Sequence, residues 1–503
     1  MARITVIGAG MGAMAAAARL AVAGHRVVVF ERADTYGGAL GRFARDGFTF
    51  DTGPGLLPVP AVYRDLFIKT GKQPLEDVVE LVQVEPAVCH VFADGTEVRL
   101  PNASRAGAVA ALDTALGAGA GERWGSVMNR AREAWDRTRR PLLEEPLWPN
   151  WQVLAEREPY PAVPRRRMLR RSRTATTLAE VGELELGDPR LVALLESHAL
   201  AHGLDPRTAP ASAAVLPYME QSFGAWYIRG GIRELARAVY ERCLARGVEF
   251  RFGSEVTRIV EKDGRAAGVE SADGTVEEAD FVVAGVAPGV LDSLTARPVW
   301  GDVGPRSGLP SRFTVLLALR GGRPAHTPHR TVLHAADRAD ELNRLFTAPD
   351  PGGCAAPTVT VLRPDDPGPT PEADHEAVTL TATVPAYGRA GQLDPQGAET
   401  VADRLLTVAE RALPGLRERL LWREIRTPAD VARATGADDG AVPAPALAAA
   451  AGRLLHPANT TELPGLHLVG GWSHPGGGLP HAGMSGALTA GLIVEGPEFR
   501  GSR

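Results

Sequence analysis

The hydrophobic pattern is most regular at the amino terminus of the chain. Apolar and β-branched residues fill positions 4–7 and most of 26–30, and continuous runs of this kind are typical of strands in a buried parallel sheet. Between them, the segment from Met11 to Ala23 is rich in alanine and has helical composition, and Gly24 follows it where a helix commonly ends. The pattern therefore predicts a strand–helix–strand unit of an α/β domain.

Later segments alternate between apolar and polar residues, which is typical of antiparallel strands with one covered face. The segments with this pattern are a hairpin around Asp94 and Gly95 and strands at 358–362 and 377–384, and a further strand is predicted from the apolar run at 313–319. Two helical regions are predicted, at 105–145 and, with an amphipathic pattern, at 399–414. Residues 247–259 are predicted to form a strand that returns to the parallel sheet.

Length and composition restrict the class of protein. The 503 residues are about three times the length of a typical ~150-residue domain, so two or three lobes are predicted. A net charge of −5 argues against nucleic acid as a partner. Three scattered cysteines indicate a reducing compartment and exclude a multi-cysteine metal site, and no metal is predicted. The sequence leaves the oligomeric state open.

Targeting signals are not evident in the sequence. No charged and apolar leader precedes the first predicted strand, and no apolar run reaches the ~18 residues of a transmembrane helix. A cytoplasmic protein, either in solution or resting on a membrane surface, is therefore predicted.

The first turn has the composition of a dinucleotide-binding turn. Gly8 and Gly10 permit a tight turn and the close approach of a pyrophosphate, and Ala13 takes the third position, where the helix packs. Glu31 follows the second strand, about 20 residues beyond the glycines, where an acid binds ribose hydroxyls. The cofactor-binding residues predicted in this unit are Gly8, Gly10, Met11, Gly12, Ala13, Glu31 and Arg32.

Two further glycine turns follow this unit. Gly37 and Gly38 come a short loop after the ribose acid, where their backbone N–H groups can face a phosphate and Arg42 can pair with it. A short strand then closes on a tight turn at Gly53 and Pro54. We therefore add these five residues to the predicted cofactor site.

A glycine-rich loop near the carboxy terminus lies between a buried strand and a helix. It contains the run His-Pro-Gly-Gly-Gly-Leu-Pro at 474–480. Such a loop brings backbone amides and a helix N-terminus toward an anionic ring edge. The cofactor-binding residues predicted here are Gly470, Gly471, Gly478, Leu479 and Pro480.

These blocks, together with Phe-Gly-Ala-Trp-Tyr-Ile-Arg-Gly-Gly at 223–231, resemble the phytoene desaturase (carotenoid dehydrogenase) family of FAD-dependent oxidoreductases. That family belongs to a flavoprotein class that includes the amine oxidases. The resemblance spans nearly the whole chain and implies that FAD is the cofactor. It also implies that Val256 contacts the adenine and that the carboxy-terminal loop meets the flavin. One departure is Ala39, where the family usually has arginine, and Arg42 is the candidate substitute.

The resemblance implies an α/β fold with a Rossmann-type FAD-binding domain and a discontinuous α+β substrate domain, an antiparallel sheet plus helices. The FAD-binding domain is predicted at 1–90, 226–296 and 456–503. The substrate-binding or lid domain is predicted at 91–225 and 297–455.

The activity implied by the resemblance is C–C desaturation, in which a long apolar isoprenoid or polyene gives hydride to the flavin. His481 stands where the family commonly has a small residue, so it either projects toward flavin or substrate as a catalytic candidate or caps a helix. One alternative is a tailoring enzyme that reduces or cyclises a polyene, as happens with polycyclic tetramate macrolactams. Another is a flavin- or lipid-binding escort protein without turnover.

An arginine cluster leaves contact with a membrane open. Trp148 and Trp151 precede it, and its members are Arg165, Arg166, Arg167, Arg170, Arg171 and Arg173. Tryptophans beside arginines are typical of a segment that rests on an anionic membrane, where an apolar substrate is found. A solvated basic face explains the same pattern.

Overall fold

The computed structural model describes residues 1–162, 174–300 and 309–501. The arginine cluster at 165–173 lies outside the described residues, so peripheral membrane contact stays a prediction. No helix formed by the described residues combines the length and the apolar character that crossing a membrane requires.

The described residues form strands and helices along the whole chain. The strands are β1 (Arg3–Ile7), β2 (Arg26–Phe30), β3 (Arg42–Arg45), β4 (Phe48–Asp51), β5 (Leu57–Pro58), β6 (Leu81–Gln83), β7 (Val88–Val91), β8 (Glu97–Leu100), β9 (Ala225–Ile228), β10 (Glu249–Arg251), β11 (Val256–Lys262), β12 (Arg265–Ser271), β13 (Val276–Glu278), β14 (Phe281–Ala284), β15 (Ser311–Arg320), β16 (Arg330–Leu333), β17 (Val359–Leu362), β18 (His375–Val384), β19 (Leu420–Arg426) and β20 (Leu466–Leu468). The α-helices are α1 (Met11–Val22), α2 (Ala61–Gly71), α3 (Arg105–Leu116), α4 (Ala120–Arg139), α5 (Gln152–Glu156), α6 (Leu178–Val181), α7 (Pro189–Ala201), α8 (Val215–Phe223), α9 (Arg233–Leu244), α10 (Pro288–Leu294), α11 (Arg338–Leu342), α12 (Tyr387–Ala390), α13 (Pro395–Ala409), α14 (Leu416–Arg419), α15 (Pro428–Thr435) and α16 (Leu479–Glu495).

A five-stranded parallel sheet in the order β10-β2-β1-β14-β20 forms the first lobe. β1 lies at its centre and is buried except at its first residue, as the continuous apolar run predicts. Helices α1 and α16 pack backbone to backbone, since a Cβ at Gly486 would lie 2.6 Å from the carbonyl oxygen of Gly12 and 2.8 Å from Cβ of Ala15. The predicted strand–helix–strand unit and the Rossmann-type fold class are confirmed.

The prediction of one strand over 247–259 was wrong. Only β10 joins the parallel sheet, whereas β11 belongs to a separate antiparallel sheet in the order β11-β12-β13. The reason is a turn at Gly253, which has φ +62° and donates its N–H to the carbonyl of Ala33. A residue in this left-handed region cannot continue a strand.

The amphipathic helix predicted at 399–414 is also shifted. Helix α13 begins at Pro395 because the Asp394 side chain accepts the N–H of Gly397 at 2.6 Å, and proline fits the first helical position. It ends at Ala409.

A seven-stranded sheet in the order β19-β15-β18-β17-β16-β7-β8 forms the second lobe. Its neighbours are antiparallel except β16 and β7, which run parallel, so the predicted antiparallel sheet is mixed. One face packs on α13 through Val401, Leu405 and Leu406. Helices α3, α4, α7 and α8 pack around a separate core. The residue bounds of the two predicted domains stay a prediction.

Candidate functional site

Three glycine turns that are distant in sequence meet beside the carboxyl end of β1. Gly10 and Gly37 form a parallel bridge, and the N–H of Gly37 donates to the carbonyl of Ala9 at 2.8 Å. A Cβ at Gly12 would lie 2.8 Å from Cα of Gly470. The edge of an open parallel sheet where strands end is where nucleotides bind in this class of fold.

The turn after β1 offers space that a ligand can enter. Gly8 has φ +91°, a conformation that favours glycine. Gly10 stands at the N-cap of α1, and a Cβ there would meet none of the described atoms within 4 Å. The first N–H groups of α1, from Met11 to Ala13, face this end of the helix, where anions bind. These features fit a pyrophosphate.

Glu31 is already part of this turn. Its carboxylate accepts the N–H of Ala9 at 2.7 Å and of Ala33 at 2.9 Å. A carboxylate has about four acceptor positions, so it keeps capacity for ribose hydroxyls. Val256 begins β11 and is buried, and the backbone N–H of Ser254 donates to the carbonyl of Glu31. This places Val256 beside the predicted ribose site.

The two arginines predicted at the cofactor have protein partners. Arg42 donates to the carbonyl of Gly230 at 2.8 Å and pairs with Glu234 at 2.9 Å. Arg32 donates to the carbonyl of Arg433 at 2.8 Å. Their contact with the phosphates stays a prediction.

Arg233 holds the loop that carries Gly37 and Gly38, and sequence reasoning missed it. Its guanidinium donates to the carbonyl oxygens of Tyr36 and Leu40, and to Oγ1 of Thr35 at 2.6 Å. The carbon of the guanidinium also lies 4.3 Å from the centre of the Tyr36 ring. The paired glycines before α9 were the available signal, since they point to a close approach at the start of this helix.

Asp51 joins the turn at Gly53 and Pro54 to the same helix. Its carboxylate accepts the N–H groups of Ile232 at 2.8 Å and Arg233 at 3.3 Å, at the N-terminus of α9. Burial raises the pKa of Asp51 to about 6, although these two hydrogen bonds act in the opposite direction. Gly53 packs against the carbonyl of Ala39, and Pro54 is exposed.

A buried polar network fixes the carboxy-terminal loop. Ser485 Oγ accepts the N–H of Gly470 at 3.0 Å and the side-chain amide of Asn459 at 3.1 Å. Pro443 packs on Gly471, whose Cβ would lie 2.9 Å from Cγ of the proline. The sequence did not predict these contacts, because the residues that make them come from four separate segments of the chain.

The same loop ends at the start of α16. Gly478 is the N-cap with φ +105°, followed by Leu479 and Pro480, both buried. Tyr63, on α2, donates its hydroxyl to the carbonyl of Leu479 at 2.9 Å. This contact joins the helix start to the first lobe.

His481 lines a small apolar cavity. Trp135 of α4 and Leu216 and Met219 of α8 form much of its wall. Burial lowers the pKa of His481 to about 4, and His474 adds to this effect. Within the described part of the chain, no hydrogen bond joins the His481 ring to the backbone of α16, so the structure gives no support to helix capping.

Three other histidines lie on or directly beside strands of the seven-stranded sheet. His329 is buried against Tyr227, with ring centroids 4.7 Å apart, and burial lowers its pKa to about 3. His334 bonds to His90, with Nε2 and Nδ1 2.9 Å apart. His375 lies at the surface beside Asp374.

Among the described residues, one surface group brings three potential metal ligands within 4.8 Å of one another, namely Glu372, Asp374 and His375. Exposed acidic groups of this kind are common without an ion. These three residues therefore do not test the prediction that the protein binds no metal.

Comparison with known proteins agrees with this architecture. Residues 14–494 match the family model described as flavin containing amine oxidoreductase. The chain is 29% identical over 506 residues to 4,4'-diapolycopene oxygenase of a Methylomonas species, covering 98% of each chain. It is also 29% identical over 521 residues to the neurosporene-forming phytoene desaturase of Cereibacter sphaeroides, covering 99% of this chain and 96% of the relative.

A solved structure agrees with the fold. An oxidoreductase from Methanosarcina mazei aligns with a TM-score of 0.62 over 96% of this chain and 99% of its own, at 18% identity. The resemblance drawn from the sequence motifs is confirmed.

Proposed function

The chain belongs to the family of flavin containing amine oxidoreductases, and from that premise we propose that it is an FAD-dependent desaturase of the carotenoid-desaturase type. Its substrate is a long apolar isoprenoid or polyene. Two full-length relatives support this choice, since their names refer to diapolycopene and phytoene.

The observation that carries the proposal is the cavity at the start of α16. Its wall is mostly apolar, and Trp135, Leu216 and Met219 from the helical layer line it together with His481. An apolar wall recovers the free energy of removing a hydrocarbon chain from water. The adjoining helix start is the element that the predicted cofactor loop positions.

Bound FAD would supply the hydride acceptor, held by the glycine turns and Glu31. Desaturation removes a hydride from one carbon and a proton from its neighbour, and a C=C bond remains. The protein must hold these carbons in place, exclude water and accept the proton. His481 is the candidate for the last task because it lines the cavity. Its lowered pKa of about 4 leaves the imidazole unprotonated at pH 7, with a nitrogen free to take a proton, and also makes it a weak base.

Anaerobic titration of the purified yellow holoprotein with phytoene in detergent tests the proposal. We expect the flavin to bleach and the product to be lighter by two hydrogen atoms. His481→Gln should keep its FAD and bleach about 100-fold more slowly. His326→Gln, a change at a residue that does not line the cavity, is the matched control.

Other outcomes identify the alternatives. Bleaching with a cyclised product, or reduction of the polyene by reduced flavin, would favour the tailoring enzyme. Tight lipid binding without bleaching by any polyene would favour the escort protein. A colourless protein that refuses added FAD would refute the cofactor assignment.

A further inference from the structure

The seven-stranded sheet has a polar face opposite α13. On β15, β17 and β18 the residues that face α13 are buried and apolar, whereas several of the alternate residues are half-buried. Thr314, Thr381 and Thr360 lie among the latter and are direct register partners on three adjacent strands. Because neighbouring strands are about 4.8 Å apart, their hydroxyls form a row about 10 Å long. We call these three residues the threonine row.

The threonine row faces the interior of the protein. On one side of it, Thr383 donates its hydroxyl to the carbonyl of Leu200, in the last turn of α7, at 2.9 Å. On the other side, Leu362 lies against Gly55, where a Cβ would be 2.5 Å from Cδ1 of the leucine. Gly55 belongs to the loop that follows Gly53 and Pro54 of the predicted cofactor site. The row therefore faces the space between this loop and the helices of the second lobe.

The threonine row has hydrogen-bonding capacity to spare. In residues 1–162, 174–300 and 309–501, no side-chain hydrogen bond is made by Thr314, Thr360 or Thr381. Threonine is common in strands because it is β-branched, but strand propensity does not select hydroxyls over valine on an interior face. Interior hydroxyls are normally paired, so a bound molecule or water must supply the partner.

A cation extends this polar face. Arg312 precedes Thr314 by two residues on β15, so both side chains point to the same side. It donates to the carbonyl of Ala201 at the end of α7 and, at 3.4 Å, to Thr383. Burial lowers the pKa of Arg312 to about 10, so it stays charged at pH 7. No carboxylate of the described residues forms an ion pair with it.

Helix α8 contacts both the polar face and the apolar cavity. Glu220 of α8 pairs with Arg330 of β16, which lies on the same face as the threonine row. Leu216 and Met219, which line the cavity, precede Glu220 by four residues and one, so all three lie on one side of α8. Helix α8 thus joins an apolar region to a polar one.

We propose that the substrate is an amphiphilic polyene, whose hydrocarbon tail lies in the apolar cavity beside His481 and whose anionic oxygen head group, such as a carboxylate, binds the threonine row and Arg312. This inference rests on the proposed function and narrows its substrate class. Hydroxyls and a guanidinium donate hydrogen bonds to the head-group oxygens. A pure hydrocarbon gives the three threonine hydroxyls no partner, and sites built to bond a polar group discriminate against analogues that lack it.

Binding to the holoprotein tests the inference without relying on turnover. All-trans-retinoic acid, retinol and the corresponding hydrocarbon, axerophthene, are titrated in the same detergent, and quenching of tryptophan fluorescence reports binding near Trp135. We expect the acid to bind at least about tenfold more tightly than the hydrocarbon.

Thr381→Val removes one hydroxyl at nearly constant volume. It should weaken binding of the acid and the alcohol about fivefold to tenfold and leave the hydrocarbon unchanged. Arg312→Gln should weaken the acid by about 10- to 100-fold and the alcohol much less. The matched controls are Thr400→Val on α13 and Arg423→Gln on β19, whose side chain pairs with acids of α13. Neither control should change the affinity for the acid, the alcohol or the hydrocarbon.

Several outcomes overturn the inference. Equal affinity for acid, alcohol and hydrocarbon would do so, as would an equal loss for all three in Thr381→Val. Arg312 also donates a hydrogen bond to the end of α7, so Arg312→Gln can destabilise the protein. If this variant loses flavin or unfolds at a lower temperature, Thr381→Val alone tests the inference. If phytoene bleaches the flavin but the acid binds no more tightly than the hydrocarbon, only the head-group inference is refuted. A preference for the acid with no bleaching by any polyene would refute the proposed function alone.

Discussion

Two glycines of the first turn, Gly10 and Gly12, have different neighbours, and alanine at each should separate protein packing from cofactor binding. A Cβ at Gly12 would lie 2.8 Å from Cα and 2.9 Å from N of Gly470, and 2.9 Å from the carbonyl oxygen of Ala482. All three atoms belong to backbone that cannot rotate away. At Gly10, a Cβ meets none of the described atoms within 4 Å, and φ is −72°, which alanine adopts without strain.

The expected costs follow from these distances. Overpacking costs about 1–3 kcal/mol, and close contact with three fixed backbone atoms places Gly12 at about 2–3 kcal/mol. The higher helix propensity of alanine offsets about 1 kcal/mol of this cost. Gly12→Ala should therefore lower the free energy of unfolding by about 1–2 kcal/mol, with or without FAD. Gly10→Ala should change the stability of FAD-free protein by less than about 0.5 kcal/mol, since its lower N-cap preference and its stiffer unfolded chain act in opposite directions. Its methyl group enters the predicted pyrophosphate space, so FAD affinity should fall at least about tenfold.

Urea unfolding of FAD-stripped and FAD-saturated protein, with fluorescence titration of FAD, measures both quantities. Equal destabilisation by the two substitutions would refute the claim that Gly10 faces open space. Normal FAD affinity in Gly10→Ala would show that the pyrophosphate does not pass there. A fully stable Gly12→Ala would contradict the close packing of α1 on the carboxy-terminal loop.

Three further predictions concern charged and titratable groups. The pKa of Asp51 is raised from 3.8 to about 6, so between these values the carboxyl group is protonated in the folded protein and ionised in the unfolded chain. The protonated carboxyl group therefore contributes roughly 3 kcal/mol to the free energy of unfolding below about pH 4, and this contribution is lost as the pH rises from about 4 to 6. Urea unfolding across this window should show a steeper fall in wild type than in Asp51→Asn, and parallel curves would contradict the raised pKa. Arg233→Met removes the bonds to the 35–40 loop and should weaken FAD about tenfold, whereas Arg237→Met on the same helix should not, as FAD titration can measure. If His481 accepts the proton, the rate of flavin reduction should stay level down to about pH 5 and fall only as the pH passes about 4, and stopped-flow rates that fall near 6.5 would exclude it.

The local parts of this fold could be predicted from the sequence. Apolar runs predict strands β1 and β2, and the alanine-rich segment between them predicts helix α1. Gly8 marks a turn with a positive φ that glycine tolerates. The glycine turns were found for the same reason. Their mutual approach followed only from the resemblance.

What the sequence could not provide depends on contacts between distant segments. Arg233 reaches back to the loop at 35–40, and Tyr63 reaches forward to Leu479. No periodicity encodes such pairs. The strand at 247–259 was extended too far because the apolar pattern continues past Gly253, where the backbone turns. The threonine row was missed because the strand pattern separates buried from half-buried positions but gives no register between strands.

The close packing of α1 on α16 has a consequence for biosynthesis. The chain passes through the second lobe between Gly12 and Gly470, so the start of α1 leaves the ribosome long before Gly470 and α16. Until β20 is made, β14 lacks its outer neighbour, and the alanine face of α1 has nothing to cover it. The open edge at β14 therefore persists while the second lobe is synthesised, and a chaperone that shields this edge would raise the yield of folded protein.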